Sequence, residues 1–157
     1  MKPNVKTYLF WIGISLGTGI LAGLLTRNGT EIYSMLADKP TLSPPAVVFP
    51  VVWTILYTLM GISAARVWLS SYSRGRERGI NLFIAQLVVN FFWSLIFFNA
   101  QAYGFAFAWL ILLWILILWM IISFYQVDKT AALLQIPYLA WVTFAGYLNY
   151  GVWMLNR

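Results

Sequence analysis

The side chains that usually carry chemistry are nearly missing from this sequence. It has no Cys and no His, and its only carboxylates are Glu31, Asp38, Glu77 and Asp128. That excludes disulfides, thiol chemistry, zinc centres and His- or Cys-ligated haem or iron–sulfur groups, and it removes the commonest general base. No metal site is expected and no cofactor is required. What the chain offers instead is aromatic and amide side chains at helical spacing. Phe49, Trp53, Tyr57 and Gly61 recur every fourth residue. So do Gln86, Asn90, Trp93 or Ser94, and Phe97; Trp141, Ala145 and Asn149 obey the same rule, with Tyr138 just before them. Residues four apart share one face of a helix. Each residue alone has a plainer role: Asn90 and Asn149 as interhelical glue, a lone Trp as packing. Three matching stripes together predict a cavity with flat apolar walls and N–H or O–H tips, with room left by Gly61 and Ala145.

The elements that must hold these stripes cross a membrane. Of 157 residues, 62% are hydrophobic and 9% charged, and the mean hydropathy is +0.79. Soluble domains run at about 45–50% apolar and about 25% charged. Charge is absent from Thr7 to Thr26, Pro40 to Ala65, Gly79 to Val127 and Thr130 to Asn156. A crossing helix needs about 20 apolar residues, and the third gap holds two. The expected fold is therefore an all-α membrane protein, a five-transmembrane-helix bundle forming one domain over 1–157. The spans are expected at about 8–26, 46–70, 80–98, 105–125 and 131–155. The fourth reads as a packing or lipid-facing helix, Asp128 as an N-cap, and Pro137 as a kink. In the first span, Gly13, Gly17, Gly19 and Gly23 form two small-x-x-x-small pairs, suited to close packing within the chain or to a dimer contact.

No acid lies mid-span, which argues against a proton-coupled pump. The net charge of +6 comes from Lys and Arg flanking the spans, a membrane-topology pattern rather than a nucleic-acid surface. Seven basic residues on the N-terminal side (Lys2, Lys6, Arg66, Arg74, Arg76, Arg78, Lys129) face three on the other (Arg27, Lys39, Arg157). That places the N-terminus in the cytoplasm, by expectation in the cell membrane. The stretch 27–45, broken by Gly29, Pro40, Pro44 and Pro45, is long for a bundle connection and reads as a lid, with one short amphipathic turn near Thr30–Leu36.

Three blocks of the chain resemble the TspO family, the tryptophan-rich sensory proteins and translocator (peripheral-type benzodiazepine receptor) proteins. They are KPTLSPPAVVFPVVWTILYTLMGISA (Lys39–Ala64), LVVNFFWSLIFF (Leu87–Phe98) and LLQIPYLAWVTFAGYLNYGVW (Leu133–Trp153). The resemblance covers essentially the whole chain. It implies a five-helix bundle, often a homodimer, whose pocket binds porphyrins or haem and benzodiazepine- or isoquinoline-type ligands, and in some members cholesterol. By position, the implied pocket residues are Pro44, Pro45, Phe49, Trp53, Tyr57, Asn90, Trp93, Trp141, Ala145 and Asn149, with Tyr33, Lys39 and Pro40 in the lid. Two features depart from the family pattern: Tyr33 or Ile32 and then Leu42 stand where many members carry W-Y and Trp, and the loop is one residue longer. The sterol motif is incomplete, because six residues separate Tyr150 from Arg157, so sterol specificity is not expected.

Three activities are implied by the resemblance. The first is a receptor or sensor for porphyrins (protoporphyrin IX, haem) and other flat lipophiles. In it, Trp53 and Trp141 stack on the plate, and Arg27 or Lys39 at the mouth meets its propionates. The second is light- and oxygen-dependent porphyrin degradation, with Trp53 and Trp141 as electron donors. The third is facilitated transport of tetrapyrroles or lipids. The expected partners are a porphyrin or other lipophilic small molecule, membrane lipid and a second copy of the chain.

Overall fold

The computed structural model describes residues 2–157, with the backbone alone for Pro3. Among the described residues the chain is all-α: α1 (Pro3–Leu25), α2 (Arg27–Ser34), α3 (Val48–Trp68), α4 (Arg74–Ser94), α5 (Tyr103–Tyr125), α6 (Lys129–Leu134) and α7 (Ile136–Leu155). Five segments are long and apolar enough to cross a bilayer: Asn4–Leu25, Val48–Trp68, Arg74–Asn99, Tyr103–Tyr125 and Lys129–Leu155. In hydrocarbon every backbone N–H and C=O must be satisfied internally, which a helix does within one segment. The result is a multi-pass helical membrane protein.

The helix ends obey local rules. Ser73 starts α4 by accepting a hydrogen bond from the Arg76 N–H (3.1 Å), so the helix begins at Arg74, ahead of the span expected from about 80. Asp128 starts α6 in the same way, accepting from the Ala131 N–H at 3.1 Å, as the sequence predicts. The fifth span is not one continuous helix. Its helix is interrupted at Gln135, and Pro137 sits in the first turn of α7, where its missing N–H removes no intrahelical bond.

The third span does not end where α4 does. Leu95–Asn99 continues as a π-helical turn, marked by the Ala100 N–H to Leu95 C=O bond of 3.0 Å. Such turns insert one extra residue and rotate the side chains beyond it around the helix axis. The Asn99 amide at its end donates to the last carbonyl of α1, Leu25 (2.9 Å).

The packed core lies mostly away from the lid. Met60, Ala64, Ala65 and Val67 of α3, Phe83 of α4, and Ile117, Met120 and Phe124 of α5 are fully buried. There α1 and α3 touch backbone to backbone, since a Cβ at Gly61 would overlap Ile12. Trp11 closes that end, with ring centroids 5.7 Å from Phe83 and 5.8 Å from Trp68.

Candidate functional site

At the lid end the helices enclose a cavity of about 630 Å³, within the range of about 300–1,000 Å³ typical of small-molecule sites. Its floor and walls are aromatic. From α3 come Phe49, Trp53 and Tyr57; from α4 and its π-helical turn, Trp93, Ser94, Phe97 and Phe98; from α7, Trp141, Ala145 and Asn149. Trp53 and Trp141 meet edge to face at 6.5 Å, Phe49 lies 6.0 Å from Trp141, and Trp53 is 5.4 Å from Tyr57. These are the separations at which ring edges and faces attract.

The polar groups gather at the top. Arg27, Thr30, Glu31 and Ser34 of α2 line the cavity there, with Thr26, Lys39 and Pro44. The Lys39 ammonium donates to the Ser34 carbonyl (3.0 Å) and stands 5.2 Å over the Tyr33 ring. Arg27 has no hydrogen-bond or ion-pair partner among the described residues, so its charge is uncommitted. The cavity is amphiphilic along its axis: aromatic below, and polar above, with the cations Arg27 and Lys39 beside the carboxylate Glu31.

Not every residue expected at the site borders it. Asn90 is buried behind the wall. Its amide N–H donates to the Tyr138 hydroxyl (2.8 Å), and its carbonyl accepts from the Tyr57 hydroxyl (3.4 Å). Tyr138 in turn donates to Gln86 (2.6 Å). Asn149 does border the cavity, yet its polar ends are occupied: it accepts from the Trp93 indole N–H (3.1 Å) and donates to the Tyr103 carbonyl (2.8 Å). Pro40 and Pro45 lie outside the lining. Pro40 instead packs on α7, where a Cβ at Gly151 would meet it at 2.5 Å.

Other wall residues carry no stripe in the sequence. Leu16, Gly19, Ile20, Ala22 and Gly23 of α1 form a fourth wall, beyond the three faces expected. Gly19 is needed there, because a Cβ would meet the Tyr57 ring at 2.5 Å. Gly13 and Gly17 have nothing within 4 Å of a Cβ and so do not serve packing within this chain. Phe97 and Phe98 both reach the cavity because the π-helical turn re-aims successive side chains, and no local sequence signal marks that turn.

The lid is more ordered than a broken loop. Gly29 does not interrupt it, contrary to expectation; it lies inside α2, where a Cβ would overlap the Phe98 carbonyl. Tyr33 then wedges into the aromatic cluster, 6.3 Å from Phe49, 5.5 Å from Phe97 and 5.7 Å from Phe98. Burial, with a smaller contribution from the nearby Tyr103 phenol, pushes the Tyr33 hydroxyl above its ordinary pKa. The rest of the lid is tied to α7: Tyr147 donates to the Thr41 carbonyl, and the Asn156 amide to that of Asp38 (2.9 Å). Leu42 takes a left-handed φ of 71°, a conformation that costs a side-chain-bearing residue about 1–2 kcal/mol.

Comparison with known proteins covers the same ground. The TspO/MBR family model matches residues 11–154. The tryptophan-rich protein TspO of Chlorobaculum tepidum is 36% identical over 157 residues, 99% of each chain. The translocator protein of Homo sapiens is 35% identical over 99% of this chain and 92% of its own. The tryptophan-rich sensory protein of Cereibacter sphaeroides is 35% identical over 96% of this chain and 89% of its own.

Proposed function

The chain belongs to the TspO/MBR family, and from that premise we propose that it is a membrane receptor or sensor for porphyrins such as protoporphyrin IX and haem. The observation that carries this reading is the axis of the cavity, an aromatic floor under a polar rim whose two cations outnumber its one carboxylate. A porphyrin is a flat apolar plate with two propionates on one edge. The plate matches Trp53, Trp141 and Phe49, and the propionates match Arg27 and Lys39. Tyr57, Trp93 and Ala145 complete the contact surface. Asn90 and Asn149 act by fixing Tyr57 and Trp93 in place. Pro44 and Tyr33 close the top. With no imidazole or thiolate for an axial ligand, haem and metal-free protoporphyrin bind comparably.

The test is saturable quenching of Trp fluorescence by protoporphyrin in the dark. Comparable affinities for haem and protoporphyrin, weakened in Trp141→Phe, bear the reading out. A hundredfold preference for haem, or linear quenching identical in the variant, sinks it.

A second reading is light-driven degradation of the bound porphyrin. It is favoured by the contact of the Trp53 and Trp141 indoles at the cavity wall, since an indole beside an excited porphyrin donates an electron. Equal loss of the Soret band under light in wild type and Trp141→Phe removes Trp141 from that chemistry. The lid side faces outward in the cell membrane by the distribution of Lys and Arg. Gly13 and Gly17, open on α1, offer the face for a homodimer.

A further inference from the structure

We propose that the bundle holds a site for ordered water in its interior, behind the back wall of the cavity, lined by Ser15, Gln86 and Gln135. Its ligand is a small neutral molecule that both donates and accepts hydrogen bonds. The proposal stands apart from the receptor reading.

Three side chains with no exposed surface leave polar atoms unspent. The Ser15 hydroxyl, the Gln86 amide nitrogen and both polar atoms of the Gln135 amide have no hydrogen-bond partner among the described residues. In hydrocarbon such groups are among the costliest a fold can carry, and in protein interiors internal water commonly meets them. Helical hydroxyls elsewhere in the chain solve the problem locally. Thr18, Thr26, Thr54, Thr58 and Thr143 each donate to the carbonyl four residues back; Ser15 does not.

The three side chains belong to one level of the bundle. Trp11 of α1 touches Phe83 of α4, with ring centroids 5.7 Å apart. Both helices run toward the lid, so Ser15 and Gln86 lie one turn further along, on the faces that meet there. On the other flank, the Gln86 carbonyl accepts from the Tyr138 hydroxyl at 2.6 Å. Gln135 precedes Tyr138 by three residues, and its own carbonyl accepts from the Leu139 N–H (3.2 Å), so it is wound into α7 on the same side. Helical side chains lean toward the N-terminus, which brings the Tyr138 ring over Gln135.

The joint between α6 and α7 leaves only the Gln135 side chain over. The interruption frees the Ala131 carbonyl, which the Ser63 hydroxyl of α3 takes at 2.7 Å, while the Gln135 N–H bonds the nearer Ala132 carbonyl (3.1 Å). Water accepts from the two amide nitrogens, donates to the Gln135 carbonyl oxygen, and does either with Ser15. An internal water takes about three such bonds, and these four atoms supply them. Amide nitrogens carry donors alone and turn a cation away. From the site a ladder of bonds runs to the cavity: Gln86 to Tyr138, Tyr138 to Asn90 (2.8 Å), and Asn90 to Tyr57 (3.4 Å), which borders it.

The experiment uses the full chain, isotope-labelled and reconstituted in phospholipid bilayers. Proton-detected solid-state NMR reads magnetisation transfer from water to the side-chain amides, each assigned through its own backbone. In wild type the Gln86 and Gln135 amides both receive transfer from water at short mixing time. In the Ser15→Ala, Gln135→Met double variant the transfer to Gln86 is lost, since the water keeps too few partners. A double-mutant cycle by chemical unfolding gives Gln86→Met and Gln135→Met a coupling of about tenfold in the folding equilibrium, as for residues sharing one network. Absence of transfer from water to both amides in wild type overturns the proposal. So does amide-to-amide transfer alone, the mark of direct Gln–Gln pairing, or strict additivity in the cycle. The wild-type spectrum decides even where a variant fails to fold.

Discussion

At the end of the bundle away from the lid, the buried Trp11 lies edge-on to the fully buried Phe83 and tilted on Trp68. At the lid end, Trp53 and Trp141 make the same kind of ring contact but border about 630 Å³ of open space. The aromatic chemistry is alike; the spacing of the helices beneath it differs. Near Trp11 a glycine, Gly61, lets backbone touch backbone. Near Trp53 the glycine opposite α3 is Gly19, met by a ring rather than a backbone, and beyond it Gly23 meets nothing. A glycine facing backbone, as at Gly61, lets two helices close, whereas Gly19 leaves room for the Tyr57 ring at the cavity wall. What the glycine faces thus distinguishes the surroundings of the packed Trp11 from those of the cavity-lining Trp53.

The sharpest way to break that contrast is to add a side chain at each end. Gly61→Val drives the branched side chain into Ile12 and should cost about 3 kcal/mol, at the upper range for overpacking. Gly23→Ala should leave stability unchanged within about 0.5 kcal/mol. Thermal unfolding in one detergent, monitored by near-ultraviolet circular dichroism, compares the two; equal melting temperatures would mean that Gly61 is not what holds α3 against α1. Asn90→Leu comes next. It strands the Tyr57 hydroxyl, leaves Tyr138 with Gln86 alone, and should cost about 2 kcal/mol as a broken buried network. Chemical unfolding measures it, and a neutral result would show that the network is not what holds the cavity's back wall.

The paired tryptophans sharpen the comparison further. Trp141→Phe should weaken porphyrin binding by about tenfold, or about 1.4 kcal/mol, with little change in stability. Trp11→Phe should do the reverse, lowering stability by about 1–2 kcal/mol and sparing affinity. Fluorescence titration beside thermal unfolding separates the two roles. The smallest effect is on pH. Burial holds the Tyr33 phenol neutral beyond its ordinary value, and an undocked lid ionises it from about pH 10. Lid docking is then fully stable below that pH and weakens as pH rises through the higher folded value. Absorbance titration of Tyr33→Phe should show one late-titrating phenol fewer than wild type.

Much of this was readable from residue spacing, because hydrogen bonding in hydrocarbon leaves helices as the one economical solution for charge-free stretches of this length. The same spacing brought Phe49, Trp53 and Tyr57 to one face and Trp141, Ala145 and Asn149 to another, and the composition of the Asp128 turn marked it as a cap. Asn90 shows the limit. Its spacing placed it on the inward face, but whether an inward amide meets a cavity or a neighbouring tyrosine depends on which helix stands opposite.

The α1 wall was hidden for a related reason. In a soluble protein the inward face of a helix is the apolar one, but lipid is as apolar as a core, so nothing in the residues 16–23 distinguishes the side that faces Trp53. The π-helical turn at Leu95–Asn99 and the burial of Gly29 against it are likewise products of packing between distant segments. Sequence alone determined the five crossings, the Asp128 cap and the periodic aromatic faces, since these depend on neighbours within a turn or two. Only the tertiary structure decided which faces meet, where the helices part, and which polar groups are already spent on one another, because those depend on contacts between residues far apart along the chain.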